Sequence, residues 1–498
     1  MPEDSTLKKR PNIVYILTDD MGYGDVSCLN PASAFRTPNF DALAADGMAF
    51  TDAHAVSAVC TPSRYGILTG RYSWRSALKT GVLVGYSRPL IEEGRQTVAN
   101  LLKSQGYRTY AVGKWHLGMS MPYVGEAPER ITYADIPNID YHGRIEHSPT
   151  TYGFDYSYCI AASLDMPPYV YIENDRFTEI PDHVTENTGK QFWRPGPTAP
   201  GFRHEDALPT FTKKALSIID GASADEPFFL YLPLPAPHTP ILPTKEFQGR
   251  SGTNEYGDFV LMCDDVVGQV RNKLIEKGLY ENTILVLTAD NGCSPMADFE
   301  ELRACGHNPS YIFRGHKADI YEGGHRIPCL ISWPDAIPAG TTCDRLVSLS
   351  DLYATLADYF GVALADDCAE DSVSNLPLWR NPSADAVRED AVQQSIDGSL
   401  TIRSGKWKLA MCPGSGGWSY PKPGVDDTSL LPAFQLFDME KDVRETHNVI
   451  EAYPDVAREL RDRLTKYVLD GRSTPGAPQA NTGAPVWKTV KWLEEQAL

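Results

Sequence analysis

Two pairs of oxygen-bearing side chains each follow an apolar run of residues rich in β-branched types. Asp19 and Asp20 follow the first run, and Asp290 and Asn291 follow another in the second half of the chain. Such runs predict buried parallel strands, and binding sites in parallel sheets lie at the carboxyl ends of strands. Carboxylate and amide oxygens are hard ligands that suit Ca²⁺ or Mg²⁺ rather than zinc. The four residues therefore predict a metal site, although each pair alone is also typical of a turn.

Basic and imidazole side chains occur in two further segments that follow predicted strands. Lys114 and His116 are separated by one residue, so in an extended segment their side chains point the same way. His238 lies between two prolines, which favour a rigid, non-helical backbone. A single loop histidine is more often a surface or turn residue. These positions therefore indicate a catalytic site only when they occur together with other functional motifs.

A cysteine-containing motif, together with two further motifs, gives these positions a functional context. Residues 60–64 read Cys-Thr-Pro-Ser-Arg and are followed by Thr-Gly-Arg at 69–71. A single cysteine is usually a small buried apolar residue, but this run resembles the signature of the type I sulfatases. Residues 113–118 resemble that family's Gly-Lys-Trp-His element, and residues 314–328 resemble its Lys-x-x-x-x-Glu-Gly-Gly-x-Arg-x-Pro block. The motifs occur in the family's order, so the chain is identified as a member of that family.

The resemblance implies a nucleophile made by modification. A maturation enzyme would convert Cys60 to formylglycine, an aldehyde whose hydrated form attacks the sulfur of a sulfate ester. Lys114 and Lys317 would contact the sulfate, His116 would act as a general base, and His238 would donate a proton to the leaving alkoxide. The catalytic residues implied are Cys60, Arg64, Lys114, His116, His238 and Lys317.

The resemblance also implies a calcium ion, in preference to magnesium. Arg64 would hold the hydrated aldehyde and compensate for negative charge beside this ion. A divalent cation neutralises sulfate oxygens and polarises the sulfur. The ligands implied are Asp19, Asp20, Cys60, Asp290 and Asn291.

Two other functions fit part of this pattern. A phosphonate or phosphate monoester hydrolase shares the fold and can share the formylglycine. A non-catalytic binder of sulfated glycans would be a degenerate member of the family, and it is expected to lack some of the catalytic residues. All of the catalytic residues are present, which argues against the binder. A comparison of aryl sulfate turnover with aryl phosphate turnover distinguishes a sulfatase from a phosphoester hydrolase.

Composition restricts the class of protein. With 498 residues, 42% of them hydrophobic, the chain can bury a large core and form more than one domain. A formal net charge of −19 argues against a nucleic-acid partner. No apolar run reaches the length of a membrane span. The ten cysteines include no Cys-x-x-Cys pair, which predicts mostly free thiols and no structural zinc.

Apolar runs that alternate with helical patterns predict an α/β fold. The resemblance to the sulfatases implies that this fold is an alkaline-phosphatase-like sandwich around a mostly parallel central sheet. The predicted strands cover residues 12–18, 108–113, 228–234, 283–288 and 328–333. The predicted helices cover residues 97–104, 257–277 and 351–360.

The pattern changes in the last part of the chain. Short apolar runs at 400–403, 407–410 and 434–438, with an amphipathic helix at 455–469, predict a smaller α+β subdomain with an antiparallel sheet. We therefore predict a catalytic domain over residues 1–365 and a C-terminal subdomain over residues 366–498.

The alcohol part of the substrate is less constrained. Loops between core elements carry aromatic, acidic and basic residues that suit a sugar, and the resemblance to bacterial polysaccharide-degrading sulfatases implies a sulfated saccharide. We predict an exo-acting enzyme on a galacto-configured sugar sulfate. The candidate substrate-binding residues are Asp165, His307 and Arg314, each of which also fits ordinary loop packing.

The amino terminus bears on localisation. Residues 1–9 are polar and charged and contain no apolar stretch of a signal peptide. A leader removed from this chain would place the protein in the periplasm or outside the cell, and otherwise we expect it to be cytoplasmic.

Overall fold

The computed structural model describes residues 10–128, 131–223 and 225–493. Its strands are β1 (Asn12–Thr18), β2 (Met48–Phe50), β3 (Ala53–His54), β4 (Arg108–Lys114), β5 (Tyr156–Ile160), β6 (Ile172–Glu173), β7 (Arg176–Phe177), β8 (His183–Asn187), β9 (Trp193–Thr198), β10 (Phe228–Pro233), β11 (Thr283–Ala289), β12 (Cys329–Ser332), β13 (Thr341–Cys343), β14 (Val347–Ser348), β15 (Asp390–Gln394), β16 (Leu400–Ser404), β17 (Trp407–Ala410) and β18 (Gln435–Asp438). Its α-helices are α1 (Pro38–Ala45), α2 (Cys60–Thr69), α3 (Val98–Ser104), α4 (Ala207–Asp220), α5 (Glu255–Glu276), α6 (Phe299–Ala304), α7 (Glu322–His325), α8 (Leu352–Phe360), α9 (Leu376–Arg380) and α10 (Pro454–Asp470).

The central sheet has ten strands in the order β13-β2-β12-β11-β1-β10-β4-β5-β6-β7 among the described residues. The five strands from β11 to β5 run parallel, whereas β12 and β6 pair antiparallel with the two ends of this block. The mostly parallel sheet predicted from the sequence is confirmed. Every residue of β1, β10 and β11 is buried, as expected for strands covered by helices on both faces.

Two groups of helices cover this sheet. Helices α1 and α4 pack on α5, whereas α2, α3 and α9 pack on α8. Helix α5 begins two residues earlier than predicted because the Asn254 side chain accepts hydrogen bonds from the backbone N–H groups of Tyr256 and Gly257, which caps the helix. Helix α3 begins after Thr97, whose side chain caps it through the Asn100 N–H.

The C-terminal part contains a four-stranded antiparallel sheet in the order β15-β16-β17-β18, against which α10 packs. This confirms the predicted antiparallel sheet. Its apolar core includes Leu409, Leu436 and Leu464 together with Trp74 from the first part of the chain. The exact domain boundary after residue 365 stays a prediction.

Two further predictions concern the whole chain. All ten cysteines lie in the described residues and are free thiols, in agreement with the sequence. Within the described residues, no helix combines the length and the apolar character that crossing a membrane requires.

Candidate active site

The parallel strands bring the predicted site residues to one edge of the sheet. Asp19 follows β1, Asp290 follows β11, and Lys114 is the last residue of β4. His238 lies in the segment after β10, the strand between β1 and β4. Because the carboxyl ends of parallel strands share an edge, side chains from distant parts of the chain meet there.

Cys60 is the first residue of α2, and its thiol donates a hydrogen bond to Asp19 Oδ1 at 3.5 Å. Arg64 lies one turn later on the same helix face. Its Nε and Nη2 donate to Asp290 Oδ2 at 3.0 and 2.7 Å, and its Nη1 donates to the Lys114 carbonyl at 2.8 Å. Helix α2 thus carries both residues of the Cys-x-Pro-Ser-Arg motif that face the strand ends.

Two lysines reach the aspartates that follow β1. Lys114 Nζ lies 2.6 Å from Asp19 Oδ2, and Lys317 Nζ lies 2.7 Å from Asp20 Oδ2. His238 Nε2 lies 3.6 Å from the same Asp20 oxygen. Three cationic or imidazole groups therefore converge on a buried acidic pair, which is the kind of pocket that an anionic ester requires.

The carboxyl groups at this edge differ in their pKa. Burial opposes ionisation of Asp19, but Lys114, His238, Arg64 and Lys317 outweigh it and hold the Asp19 pKa well below its ordinary value. Burial and the neighbouring Asp19 charge raise the pKa of Asp290 to about 7, against the opposing effect of Arg64. Three buried carboxylates, Asp19, Asp20 and Asp290, therefore lie close together and oppose one another's ionisation at Asp290, and a bound metal ion would relieve that repulsion.

The donor set fits such an ion. Ligand atoms of Asp19, Asp20, Cys60 and His238 lie within 4.8 Å of one another. Asn291 donates from Nδ2 to Asp20 Oδ1 at 2.7 Å, while its Oδ1 is buried without a hydrogen-bond partner. A buried amide oxygen that lacks a donor is costly, and a hard cation would satisfy it.

The thiol of Cys60 is not activated as it stands. Burial raises its pKa above the ordinary value of a cysteine, and the opposing effects of Lys114 and Lys317 do not cancel this. A thiolate is the nucleophilic form of cysteine. The environment therefore disfavours an ordinary cysteine nucleophile and is compatible with a role that begins after chemical modification.

The two predicted catalytic histidines have different surroundings. His116 is buried, and burial followed by Lys114 lowers its pKa well below the ordinary value. Its Nε2 lies 2.8 Å from the Leu83 carbonyl oxygen, whereas Nδ1 is buried without a partner. A neutral imidazole with a free nitrogen can accept a proton. His238 is also buried, and its Nδ1 is held by the Thr239 carbonyl.

The three predicted substrate-binding residues occur in different local environments. Asp165 lies in the loop after β5, at the catalytic edge of the sheet. His307 is buried with Nε2 2.8 Å from Asp25 and Nδ1 3.4 Å from Ser33 Oγ. Arg314 stacks on Tyr321 and donates to the carbonyl of Glu445 in the C-terminal part. His307 and Arg314 thus have partners within the protein, and their role in binding the substrate stays a prediction.

A buried ionic network adjoins the segment that carries Lys317. Lys408 Nζ contacts Glu322 Oε1 at 3.0 Å and Glu445 Oε1 at 2.7 Å, and all three side chains are inaccessible to solvent. His54 and His325 lie beside Glu322 within metal-ligating distance of one another. Lys408 supplies the positive charge there, so we propose no metal. The sequence pointed to Glu322 through its Glu-Gly-Gly motif, but nothing local marks Lys408 or Glu445.

Comparisons with known proteins show which family the chain resembles. The family described as Sulfatase matches residues 11–362. An N-acetylgalactosamine-6-O-sulfatase of Bacteroides thetaiotaomicron is 34% identical, over 92% of this chain and 93% of its own length. Human arylsulfatase A is 32% identical, over 95% of this chain and 91% of its own length. A solved structure concerned with the metabolism of multiple glycosaminoglycans by Bacteroides thetaiotaomicron has a TM-score of 0.78 and 33% identity, covering 92% of this chain and 98% of that one.

Proposed function

This chain belongs to the sulfatase family and is a sulfuric ester hydrolase, and from that premise we propose that it removes a sulfate group from a carbohydrate. We propose in particular an exo-acting enzyme on a galacto-configured sugar sulfate. The observation that carries the proposal is the convergence of Cys60, Lys114 and Lys317 on the acidic pair that follows β1. The relative that acts on N-acetylgalactosamine 6-sulfate, by its name, supports the sugar class.

Formylglycine formed from Cys60 by a maturation enzyme would supply the nucleophilic hydroxyl. The side chains around it have roles that follow from their positions. Lys114 and Lys317 place positive charge where the sulfate oxygens develop negative charge, and Arg64 holds Asp290 beside them. Preorganised cations in a water-poor pocket stabilise such charge more than water does.

Two histidines would move protons. His116 is neutral at ordinary pH because its pKa is lowered, and its unpartnered Nδ1 would accept a proton as a general base. His238 would donate a proton to the alkoxide that leaves. The short hydrogen bond from its Nδ1 to the Thr239 carbonyl directs Nε2 towards the pocket.

Calcium is the metal that we propose, with Asp19, Asp20, Asp290, Asn291 and the converted Cys60 as its ligands. When bound, it would neutralise sulfate oxygens and polarise the sulfur. The all-oxygen set obtained after conversion of Cys60, the raised pKa of Asp290 and the unpartnered Asn291 Oδ1 support it.

Calcium is expected to stabilise the folded protein against heat. An ion present at 100 times its Kd stabilises by about 2.7 kcal/mol, so the melting temperature should rise with added Ca²⁺ and fall back with a chelator. The variant Asp20→Asn should lose this response, because it removes a ligand charge. Asp265→Asn, on helix α5 away from the strand ends, is the matched control. A Ca²⁺ response that persists in Asp20→Asn contradicts the proposed ligand set.

Lys317→Met is expected to lower kcat by about 10²–10³-fold, the usual effect of removing one group that stabilises transition-state charge. Methionine keeps most of the buried stem and removes only the ammonium group. Lys277→Met, beyond the end of α5, is the control and should leave kcat unchanged. Steady-state sulfate release, with circular dichroism to check folding, tests this, and an unchanged kcat excludes Lys317 from the chemistry.

The function itself is tested on protein produced together with a formylglycine-generating enzyme. Mass spectrometry of the peptide around Cys60 measures conversion, and sulfate release is measured from N-acetylgalactosamine 6-sulfate, an aryl sulfate and an aryl phosphate. Sulfate release that depends on conversion supports the proposal. Preferential turnover of the phosphate would indicate the phosphoester hydrolase instead. Stoichiometric binding of the sugar sulfate without turnover, despite conversion, would indicate a glycan binder.

A further inference from the structure

The loop after β5 lies directly beside the catalytic segment. Strands β4 and β5 pair in parallel, with Lys114 opposite Ile160. The backbone N–H of His116 then donates to the Ala161 carbonyl at 3.1 Å. The chain therefore leaves β5 alongside Lys114 and His116 and reaches Asp165 five residues after the strand ends. A group held by this loop can therefore approach a substrate whose sulfate lies at Cys60.

One carboxylate oxygen of Asp165 is bound by Arg194, and the other lacks a hydrogen-bond donor. Arg194 Nη1 contacts Asp165 Oδ2, and the Arg194 backbone N–H donates to the Asp165 carbonyl at 3.2 Å. Asp165 is 7% exposed, yet its second carboxylate oxygen, Oδ1, has no hydrogen-bond partner. A buried acceptor without a donor is rare and costly, which points to a ligand hydroxyl as the missing donor.

Arg194 is held in place by its neighbours. The Tyr169 hydroxyl donates to the Arg194 carbonyl at 2.7 Å. The adjacent Trp193 ring stacks on the His204 ring at 3.9 Å. The pair of Asp165 and Arg194 is therefore built into packed structure rather than carried on free surface side chains.

Tyr133 connects this pair to the sulfate site. The Arg194 guanidinium lies 4.4 Å from the centre of the Tyr133 ring, and 49% of Tyr133 remains exposed. Burial raises the pKa of its hydroxyl, and the groups that influence that pKa are Arg194 and Asp165 of the pair and Cys60 and Lys317 of the sulfate site. Tyr133 thus lies within electrostatic reach of both groups and offers an aromatic ring next to them.

We propose that Asp165, Arg194 and Tyr133 form the sugar pocket of this enzyme, an inference that rests on the proposed function. Asp165 Oδ1 would accept a hydrogen bond from one ring hydroxyl, Arg194 would donate to the neighbouring hydroxyl oxygen, and Tyr133 would pack on the C–H face of the ring. In a galacto-configured 6-sulfate the hydroxyls nearest the sulfated carbon are those on carbon 4 and carbon 3. We assign the hydroxyls on carbon 4 and carbon 3 to the pair of Asp165 and Arg194.

This assignment has a consequence for specificity. The unpartnered Asp165 Oδ1 is buried and can only accept a hydrogen bond while its carboxylate is paired with Arg194, so a second sulfate in place of the hydroxyl that it binds would remove the donor and put sulfate oxygens against an acceptor. The enzyme should therefore act on N-acetylgalactosamine 6-sulfate and reject the 4,6-disulfate. The pocket would also admit only a sugar whose carbon 3 and carbon 4 hydroxyls are free, which suits a chain end.

The test compares substrates rather than absolute rates. The ratio of kcat/KM for N-acetylgalactosamine 6-sulfate to kcat/KM for a simple aryl sulfate is measured for the wild type, Asp165→Asn and Arg194→Lys. We expect the ratio to fall on the order of 10²-fold in Asp165→Asn, because a site built to bind a hydroxyl loses its acceptor charge. Asp175→Asn, which breaks the exposed ion pair with Arg144, is the control and should leave the ratio unchanged.

Each outcome decides one question. If the wild type releases sulfate from neither substrate, the proposed function fails. If the wild type is active and the ratio is unchanged in both variants, or falls equally in the control, the sugar pocket is wrong. Turnover of the 4,6-disulfate at the rate of the 6-sulfate also overturns it. Arg194→Lys keeps the charge and loses the fork of donors, so it checks the pair if Asp165→Asn folds poorly.

Discussion

Cys60→Ala abolishes sulfate release, with kcat lower by on the order of 10⁴–10⁶-fold, the scale seen when an enzyme loses its nucleophile. This is the largest effect that we expect. The raised pKa of the Cys60 thiol means that the unmodified side chain is a poor nucleophile, so activity should depend on conversion as well as on position. Cys60→Ser should also lose turnover, because serine offers one hydroxyl where a hydrated aldehyde offers two.

The matched control is Cys159→Ala. Cys159 is also buried and free, but it lies within β5 rather than at the start of α2. It should keep wild-type kcat apart from a modest loss of stability from the small cavity. The measurement pairs sulfate release with peptide mass spectrometry of each preparation. Sulfate release that continues in Cys60→Ala, or that does not follow the converted fraction in the wild type, would contradict the formylglycine mechanism.

Lys408→Met lowers the free energy of unfolding by about 3–5 kcal/mol, the cost of removing one partner from a buried ionic network. Burial opposes ionisation of Glu322, and Lys408 is the largest of the opposing effects that hold its pKa well below the ordinary value. Without Lys408, that carboxylate would remain buried with less compensation. The same change should shift the midpoint of urea unfolding.

The control for the Lys408→Met prediction is a substitution of Lys406, two residues earlier in the chain. Lys406 is 35% exposed in its side chain and contacts Asp438 at 3.5 Å, and a pair of that kind contributes less than about 1 kcal/mol. Lys406→Met should therefore be nearly neutral. The triple variant Lys408→Met, Glu322→Gln, Glu445→Gln should recover part of the loss, because it removes both carboxylates that Lys408 compensates. Arg326, which contacts Glu322 at 3.1 Å, keeps Asp52 at 3.2 Å. An equal loss in the Lys408 and Lys406 variants would show that the network contributes little.

This network matters to the site because the C-terminal sheet supports the catalytic segments. The Ala58 N–H donates to the Gln394 carbonyl at 2.8 Å, and the Ile396 N–H donates to the Ala318 carbonyl at 3.0 Å. Ala58 lies two residues before Cys60, and Ala318 directly follows Lys317. The C-terminal part thus contributes backbone hydrogen bonds to both segments, and a Lys408 variant that remains folded should be examined for loss of kcat as well.

The local sequence was enough to locate the main strands and to propose the residues that carry chemistry. β1 and β11 were predicted because a buried parallel strand needs a continuous apolar run, and the structure places them within a residue of the expected bounds. The oxygen ligands were proposed because they follow two predicted strands, and the Cys60 motif was identified through its resemblance to the sulfatase signature. Helix ends were less certain, as at α5, because capping by Asn254 extended the helix beyond its amphipathic pattern.

The tertiary structure decided which of the distant residues meet. His307 and Arg314 carried suitable side chains, but the fold engages them with Asp25 and with the C-terminal part. Asp165 was a candidate from sequence, but its pairing with Arg194 and the nearby ring of Tyr133 could not be read from any local pattern. The same holds for the network around Lys408. Contacts between residues far apart in the chain depend on strand order and loop packing, which hydrophobic periodicity and motif spacing do not encode.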